Sequence, residues 1–428
     1  MNVFLFLKGE LRQCRGIFWG LTALLCLALS VACSVIQTER MVRESSIRAA
    51  DQFDILVGAK GSRSALLLGT VYLRDEMLGL VPMPVLRDLS KKPEDAAWAA
   101  PLAFGDSVAG SPLVGTTIAF VTQNGERRMR EGRPFAAPME AVAGAAAGFS
   151  LGDAFSPSHG ATALSHAHKE SFTVVGILPP TGTPWDRAVL IPISTLWSMH
   201  GGVAKGGAAA GGHAEKHAED NADAGTEALP AIEAWMEGPL EALPGASAIV
   251  VKPSSVASAY RIRQHLLKTS AIAPDGSVVN VMAVFTGEAL LELFSVFAAA
   301  AAALKTFAAS SVATSLAAAL LTGFVLARLR EKDLQLLRTM GAPRRYVLTA
   351  VWCAIESAIA AASIAALFVG TLFSFLAGQA IGARTGIAMA PDIGGDEILF
   401  LAAVMVAGAL LAVIPAVVIC RKHLFRSS

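Results

Sequence analysis

The chain has 428 residues, of which 54% are hydrophobic and only 16% are charged. Soluble proteins carry about 25% charged residues, so this composition favours a membrane protein, and the length exceeds that of one ordinary domain. The formal net charge of +1 provides no overall field that would attract nucleic acid, so no nucleic-acid partner is expected.

The N-terminal region predicts a membrane anchor. Basic residues occur in the predicted cytoplasmic segment 1–15, and an apolar run predicts transmembrane helix 1 over 16–37. A cleaved signal peptide would share this pattern, and Cys33 resembles the cysteine of a lipoprotein cleavage site. However, Ser30 stands where such a site has a large aliphatic residue, and the apolar run continues to Ile36. We therefore favour an uncleaved anchor whose helix continues outward as a stalk.

Residues 38–288 predict a mixed α+β domain on the periplasmic side of the membrane. Short apolar or alternating runs are typical of strands, and 254–270 has the pattern of a helix. The predicted strands are 53–57, 113–121, 172–178, 188–193, 248–251 and 278–284. This region contains no cysteine, so we expect its own apolar core to hold it together without disulfides.

Two low-complexity insertions interrupt this domain, at about 141–168 and 201–226. Both are rich in Ala and Gly, and we predict that both are flexible surface loops. Weak metal-ligand candidates within them are His166, His168, His213 and His217. Imidazoles on a flexible tether could bind zinc, but a solvated linker also tolerates histidine, so no metal site is assigned.

Three further apolar stretches follow the domain. We predict a stalk with transmembrane helix 2 over 289–328, helix 3 over 347–376, a periplasmic loop over 377–397, helix 4 over 398–420 and a cytoplasmic tail over 421–428. Basic residues cluster before the first stretch, between the second and third, and after the fourth. Because such clusters mark the cytoplasmic side, both termini are predicted inside and 38–288 outside.

A charged segment over 329–346 separates the second and third apolar stretches. Read as a helix, it places four residues on one stripe: Arg330, Leu334, Leu337 and Gly341. Gly341 is a natural helix stop because glycine tolerates the left-handed conformation, and Pro343 suits the first turn of the next helix. The segment therefore predicts a cytoplasmic helix–glycine–helix elbow that can pass force between a soluble partner and the membrane.

Glu356 is a carboxylate about ten residues into the third apolar stretch. A carboxylate is costly in a membrane and often marks a functional site. Alternatively, Glu356 snorkels towards the membrane surface or forms a hydrogen bond to another helix, and both interpretations stay open.

The run from Gly58 to Ser62 lacks the spacing of a phosphate loop. No nucleophile–base–acid pattern is evident either, so we expect that the chain is not an enzyme and carries no cofactor.

The segment Arg330–Ala342, followed by Glu356 in the next span, resembles the signature of the FtsX/MacB-type ABC transporter permeases, which include MacB-like and LolC/LolE-like proteins. The layout of one span, a large external domain and three more spans resembles this family too. So do Phe53–Ser62 and Phe172–Leu178, which are similar to its periplasmic core domain. The resemblance implies an α-helical membrane protein with four transmembrane helices and a mixed α+β, MacB-like core domain inserted between helices 1 and 2.

The resemblance also implies partners and a mechanism. Members sit in the bacterial inner membrane among its lipids, form dimers and dock a separate ATPase subunit that carries ATP and Mg²⁺. Carried over to this sequence, the residues that contact the ATPase are Arg330, Glu331, Leu334, Leu337, Arg338, Gly341 and Ala342. Closure of the ATPase would then move the external domain, which is mechanotransmission.

The cargo stays open among a lipoprotein, a peptide and an amphiphile, with a periplasmic carrier or lipoprotein as a further partner. Two alternatives also stay open: a zinc-related system that uses the histidine-bearing loops, and a non-transporting regulator of a periplasmic cell-wall hydrolase.

Overall fold

A computed structural model describes residues 15–76, 78–92, 94–159, 171–200, 232–329, 339, 341 and 343–422. The chain divides into two compact units. The helical unit comprises the described parts of Met1–Glu44, Val296–Ala383 and Met389–Ser428. The sheet unit comprises those of Ser45–Ser295 together with Arg384–Ala388.

The elements follow one another along the chain in an order that surrounds the strands with long helices. They are α1 (Arg15–Ala50), β1 (Ile55–Ala59), α2 (Arg63–Val71), α3 (Pro84–Ser90), β2 (Ala96–Val108), β3 (Ser111–Thr116), α4 (Ile118–Thr122), β4 (Glu131–Gly132), β5 (Glu140–Ala143), β6 (Ala154–Phe155), β7 (Ser158–His159), β8 (Phe172–Ile177), a 3₁₀ turn (Pro184–Arg187), β9 (Val189–Pro192), α5 (Ile193–Met199), two 3₁₀ turns (Ala234–Glu237 and Leu240–Ala242), β10 (Ala248–Pro253), α6 (Val256–Leu266), β11 (Ser270–Ile272), β12 (Val278–Phe285), α7 (Thr286–Leu329), α8 (Arg344–Thr385) and α9 (Gly395–Lys422).

The described strands of the sheet unit form one mixed sheet in the order β11-β12-β1-β10-β2-β3-β9-β5-β8-β4. β6 pairs with β8, and β7 pairs with β2. Most neighbours are antiparallel, whereas β3 with β9 and β5 with β8 are parallel. This confirms the expected mixed architecture of the region that follows the first helix.

The central strands are buried on both faces of the sheet. In β1, Ile55 and Val57 pack into the core on one face, whereas Leu56 packs into the core on the other. Because successive side chains of a strand point to opposite faces, a continuous apolar run is what a strand buried on both sides requires. The helices of the unit cover these faces, and Ser62 and Ser255 cap the N-termini of α2 and α6.

The longest strand was not predicted from the sequence. β2 contains 13 residues, Ala96–Val108, and its sequence is rich in alanine and interrupted by Pro101 and Gly105. Neither feature favours a strand. The strand forms because β10 pairs along one edge and β3 along the other, so partners that are distant in sequence supply its hydrogen bonds.

The prediction of a flexible loop over about 141–168 is wrong for its first part. β5 lies between β9 and β8, and Ala141 and Val142 are fully buried. Small residues fit this site because the backbone is crowded: a Cβ atom on Gly144 would lie 2.4 Å from the carbonyl oxygen of Asp186. The rest of the unit supplies the core that this segment cannot form alone. Residues 160–168, and all of the second insertion over 201–226, lie outside the described residues.

Two predicted boundaries also differ. The predicted strand over 113–121 ends at Thr116, and its second half forms the short helix α4. The predicted loop over 377–397 begins later, because α8 continues to Thr385. In contrast, the predicted continuation of the first helix beyond its apolar run is confirmed, since α1 runs without a break to Ala50.

Four helices of the described chain are long and apolar enough to cross a membrane: Arg15–Ala50, Thr286–Val325, Arg345–Thr385 and Gly395–Val417. They share an apolar core, to which α1 contributes Leu25 and Leu29 and α8 contributes Ile359 and Ala362. A helix forms its backbone hydrogen bonds within one segment, which is a condition for crossing a bilayer.

Candidate functional site

The predicted elbow is described at residue 329, at residues 339 and 341, and from Pro343 onward. α7 ends at Leu329, and α8 begins at Arg344. Gly341 has a φ of 92°, which confirms its predicted left-handed conformation. The backbone N–H of Tyr346 donates to the carbonyl oxygen of Pro343 at 2.9 Å, so Pro343 opens the first turn of α8 as predicted. The local geometry of a helix restart after a glycine turn is therefore present.

Most residues predicted to contact an ATPase lie outside the described residues. They are Arg330, Glu331, Leu334, Leu337, Arg338 and Ala342. Their assignment therefore stays a prediction.

Glu356 faces the fourth helix. A Cβ atom placed on Gly408 of α9 would lie 3.3 Å from Oε1 of Glu356. One turn earlier, Nε1 of Trp352 donates to the carbonyl oxygen of Ala409 at 2.8 Å. Oε1 of Glu356 is buried and has no hydrogen-bond partner among the described residues. The carboxylate is therefore held between two packed helices without the inter-helix hydrogen bond that one interpretation expected, and its role remains a hypothesis.

A buried ion pair at the start of α9 was not predicted. Nη1 of Arg40 on α1 lies 2.9 Å from Oε1 of Glu397, whose side chain is fully buried. The other oxygen of Glu397 accepts the N–H of Gly394 at 2.9 Å, and Nη2 of Arg40 donates to the carbonyl oxygen of Asp392. The pair ties the extension of the first helix to the segment that leads into the fourth. No local pattern of the sequence joins these two residues, because they are 357 positions apart.

The second helix is tied to the first at a similar point. Nζ of Lys305 lies 2.5 Å from Oε2 of Glu39, one residue before Arg40. From the sequence, a lysine at this point of the predicted stretch 289–328 is expected at the outer boundary of the second span, with its ammonium group reaching the lipid headgroups. The structure adds a carboxylate partner on the neighbouring helix, and both side chains are partly exposed.

Small residues set the contact between α1 and α8. A Cβ atom on Gly370 would lie 2.9 Å from Cβ of Cys33 and 3.0 Å from the carbonyl oxygen of Ser30. Four residues further on, Oγ of Ser374 lies 3.4 Å from Oγ of Ser34. Small residues at this spacing let two helices approach closely, which is a common arrangement between membrane helices.

The weak metal-ligand candidates His166, His168, His213 and His217 lie outside the described residues. Among the described residues, Nε2 of His200 lies 3.0 Å from Oδ2 of Asp106, whose carboxylate is buried on β2. This hydrogen bond, together with the charge of Asp106, raises the pKa of His200 in spite of its partial burial. Among the described residues, no group of three or more His, Cys, Asp or Glu side chains is placed to hold a metal ion.

No model of a known protein family matches the sequence, and no curated protein does. Among solved structures, the crystal structure of the periplasmic region of MacB from Actinobacillus actinomycetemcomitans aligns with 57% of this chain and 94% of its own. The identity is 11% and the TM-score is 0.34. A likeness of this size assigns neither a family nor a function to the chain.

Proposed function

We propose that this chain is the membrane permease subunit of an ABC-type transporter. A separate ATPase subunit would bind the charged elbow 329–346 in the cytoplasm and drive motion of the sheet unit in the periplasm. The cargo would be a lipoprotein, a peptide or an amphiphile that is exported or extracted from the outer side of the inner membrane. The functional assembly would contain a second permease copy.

The charged elbow is the observation that carries this proposal. It stands between two long apolar helices, its glycine adopts the left-handed conformation, and the third helix restarts directly after Pro343. A short, charged connection is well suited to transmit force, because few residues separate the two long helices in the chain. The position of the sheet unit between the first and second helices of the chain supports the proposal, since both ends of the unit continue into long helices.

The proposal predicts that the elbow holds the ATPase. Replacing Leu337 and Gly341 together, as Leu337→Glu and Gly341→Leu, should abolish co-purification of the ATPase subunit with the detergent-solubilised chain. The first change puts a charge on the stripe, and the second removes the residue that tolerates φ of 92°. The measurement is the amount of ATPase recovered for each mole of tagged permease.

Leu267→Glu provides the matched control, because Leu267 is 64% exposed on the sheet unit. This variant should recover the ATPase as the parent does. Undiminished recovery by the elbow variant, with normal membrane insertion, would contradict the assignment of the elbow.

A further inference from the structure

Glu356 lies in a tight contact between α8 and α9. A Cβ atom on Gly408 of α9 would lie 3.3 Å from Oε1 of Glu356 and 2.6 Å from Cδ1 of Ile359, so the approach of α9 depends on this glycine. Four residues before Glu356, the indole N–H of Trp352 donates to a backbone carbonyl oxygen of α9 at 2.8 Å. Ile355 and Ile359 are each at most 4% exposed. The carboxyl group therefore lies against apolar groups of both helices.

Among the described residues, no cation forms an ion pair with Glu356. The apolar ranges of the four long helices contain no Lys, Arg or His: 16–38, 306–327, 346–383 and 398–420. Arg15, Arg328 and Arg345 flank these ranges, and each is exposed at a helix end. The other titratable groups within the ranges, none of them a cation, are Tyr346 and the thiols of Cys26, Cys33, Cys353 and Cys420. A negative charge on Glu356 would therefore have no opposite charge beside it in this part of the chain.

The hydrogen-bond donors near Glu356 on α8 are used elsewhere. Oε1 of Glu356 is buried and has no hydrogen-bond partner among the described residues. The hydroxyl of Ser357 donates to the carbonyl oxygen of Ala354 at 2.9 Å, and the indole of Trp352 is bonded to α9. Ser363 carries the next hydroxyl along α8, and its seven-residue separation from Glu356 is about 10 Å along a helix. A buried carboxylate stays ionised when a cation or several N–H or O–H groups stabilise it, and otherwise it binds a proton.

We propose that Glu356 is a proton-binding site, and that it is a neutral carboxylic acid in the folded protein at neutral pH. The ligand is the proton, which forms an O–H bond with one oxygen of the carboxyl group and removes the negative charge. The bound proton stabilises the contact between α8 and α9, because an anion at this point would have to draw water between the two helices. The site is argued from packing within the helical unit, and it does not depend on the proposed coupling to an ATPase.

Infrared spectroscopy of the full-length protein tests the site directly. A protonated carboxyl group has a carbonyl stretching band that an ionised carboxylate lacks, and a detergent without ester or carboxyl groups leaves that region of the spectrum clear. At neutral pH the parent should show this band, and Glu356→Gln should lose the intensity of one carboxyl group. A band that is absent from the parent, or that is equally strong in Glu356→Gln, would overturn the proposal.

Glu397→Gln is the matched control for the infrared measurement. Glu397 is also a buried glutamate of the helical unit, but Nη1 of Arg40 lies 2.9 Å from its Oε1 and holds it ionised. This variant should therefore keep the band of the protonated carboxyl group at the intensity of the parent. Loss of the band in Glu397→Gln instead of Glu356→Gln would assign the proton to the wrong glutamate and would overturn the proposal.

The dependence of stability on pH gives a second readout. The folded chain would hold a proton at Glu356 that the unfolded chain releases, so the stability that this site provides falls as the pH rises. From pH 6 to pH 9, the thermal midpoint of the parent should fall further than that of Glu356→Gln, which has no proton to lose. Glu356→Met, with an apolar side chain of similar length, should behave in the same way and serves if Glu356→Gln does not fold. Equal pH dependence in the parent and the variant would overturn the proposal, and so would a failure of both variants to fold, because the negative charge would then be required.

Discussion

Glu397 is fully buried beside Arg40, so the two charges depend on each other. Removing one partner of a buried pair leaves an uncompensated charge, which costs about 3–5 kcal/mol. We therefore expect Arg40→Ala to lower the thermal midpoint of the detergent-solubilised protein strongly. Asp396→Ala should leave it almost unchanged, because that side chain is 78% exposed and lies 4.0 Å from Arg40.

The double variant Arg40→Met with Glu397→Leu makes this prediction sharper. Replacing both charges with apolar groups of similar size avoids the isolated carboxylate, so this variant should unfold at a higher temperature than Arg40→Ala. A double variant that is no more stable than Arg40→Ala would show that the cost arises elsewhere, for instance from the bond between Arg40 and the carbonyl oxygen of Asp392.

His200 gives the sheet unit a pH-dependent contribution to stability. Its hydrogen bond to Asp106 raises the pKa of His200 in the folded state above the unfolded value near 6.5. The contribution is therefore fully present below the unfolded pKa and is lost as the pH rises through the folded pKa. We expect the parent to exceed His200→Gln in unfolding free energy by more at pH 5.5 than at pH 9. Chemical unfolding at both pH values measures this difference, and a gap that is independent of pH would contradict the assignment.

At the scale of elements, the contact between α1 and α8 depends on the absence of a side chain at Gly370. Gly370→Ile would place atoms where Cys33 and Ser30 already lie, and overpacking of this kind costs typically about 1–3 kcal/mol. We expect this variant to have a lower thermal midpoint than the parent. Cys33 is fully buried, so we also expect maleimide to label it faster in the variant. The labelling is measured in a chain whose other cysteines are replaced by serine.

Gly20→Ile on α1 is the matched control. A Cβ atom on Gly20 would have no neighbour within 4 Å, while the intrinsic cost of isoleucine in a helix is similar at both positions. The control should leave Cys33 protected. Equal labelling of Cys33 in both variants would show that the contact between α1 and α8 is not close in solution.

At the scale of the whole molecule, the short segment Arg384–Ala388 between α8 and α9 belongs to the sheet unit. The backbone N–H of Ala388 donates to the carbonyl oxygen of Gly182 at 3.1 Å. Gly386 approaches closely too, since a Cβ atom there would lie 3.5 Å from Cα of Pro184. The sheet unit therefore includes two separate segments of the chain, Ser45–Ser295 and this short connection.

This docking predicts a disulfide. A Cβ atom on Gly182 would lie 3.6 Å from Cβ of Ala388, within the range that a disulfide requires. In a chain that lacks its native cysteines, Gly182→Cys with Ala388→Cys should oxidise to an intramolecular disulfide, detected as a shift in mobility without reductant. Each single cysteine variant should show no shift. Gly182 has a φ of 70°, which strains other residues, so the thermal midpoint of the single Gly182→Cys variant is measured first. If that variant folds, a double variant that remains reduced under oxidising conditions would contradict the docking of this segment.

Local patterns made part of this structure predictable from the sequence. Long apolar runs predicted the four candidate spans, because a helix forms its backbone hydrogen bonds within one segment. The left-handed turn at Gly341 was also predicted, since it depends on one residue and its neighbours. The candidate ATPase contacts rest on the sequence alone.

The tertiary structure decided the features that depend on distant partners. β2 is a strand only because β10 and β3 pair with it, and β5 enters the core only because β9 and β8 flank it. The pair of Arg40 with Glu397 likewise joins residues that are far apart in the chain. The sequence by itself determined where the chain is apolar and where it turns, because those properties are local. Which charges are buried together, and which alanine-rich segments become strands, was decided by packing between parts of the chain that no local pattern connects.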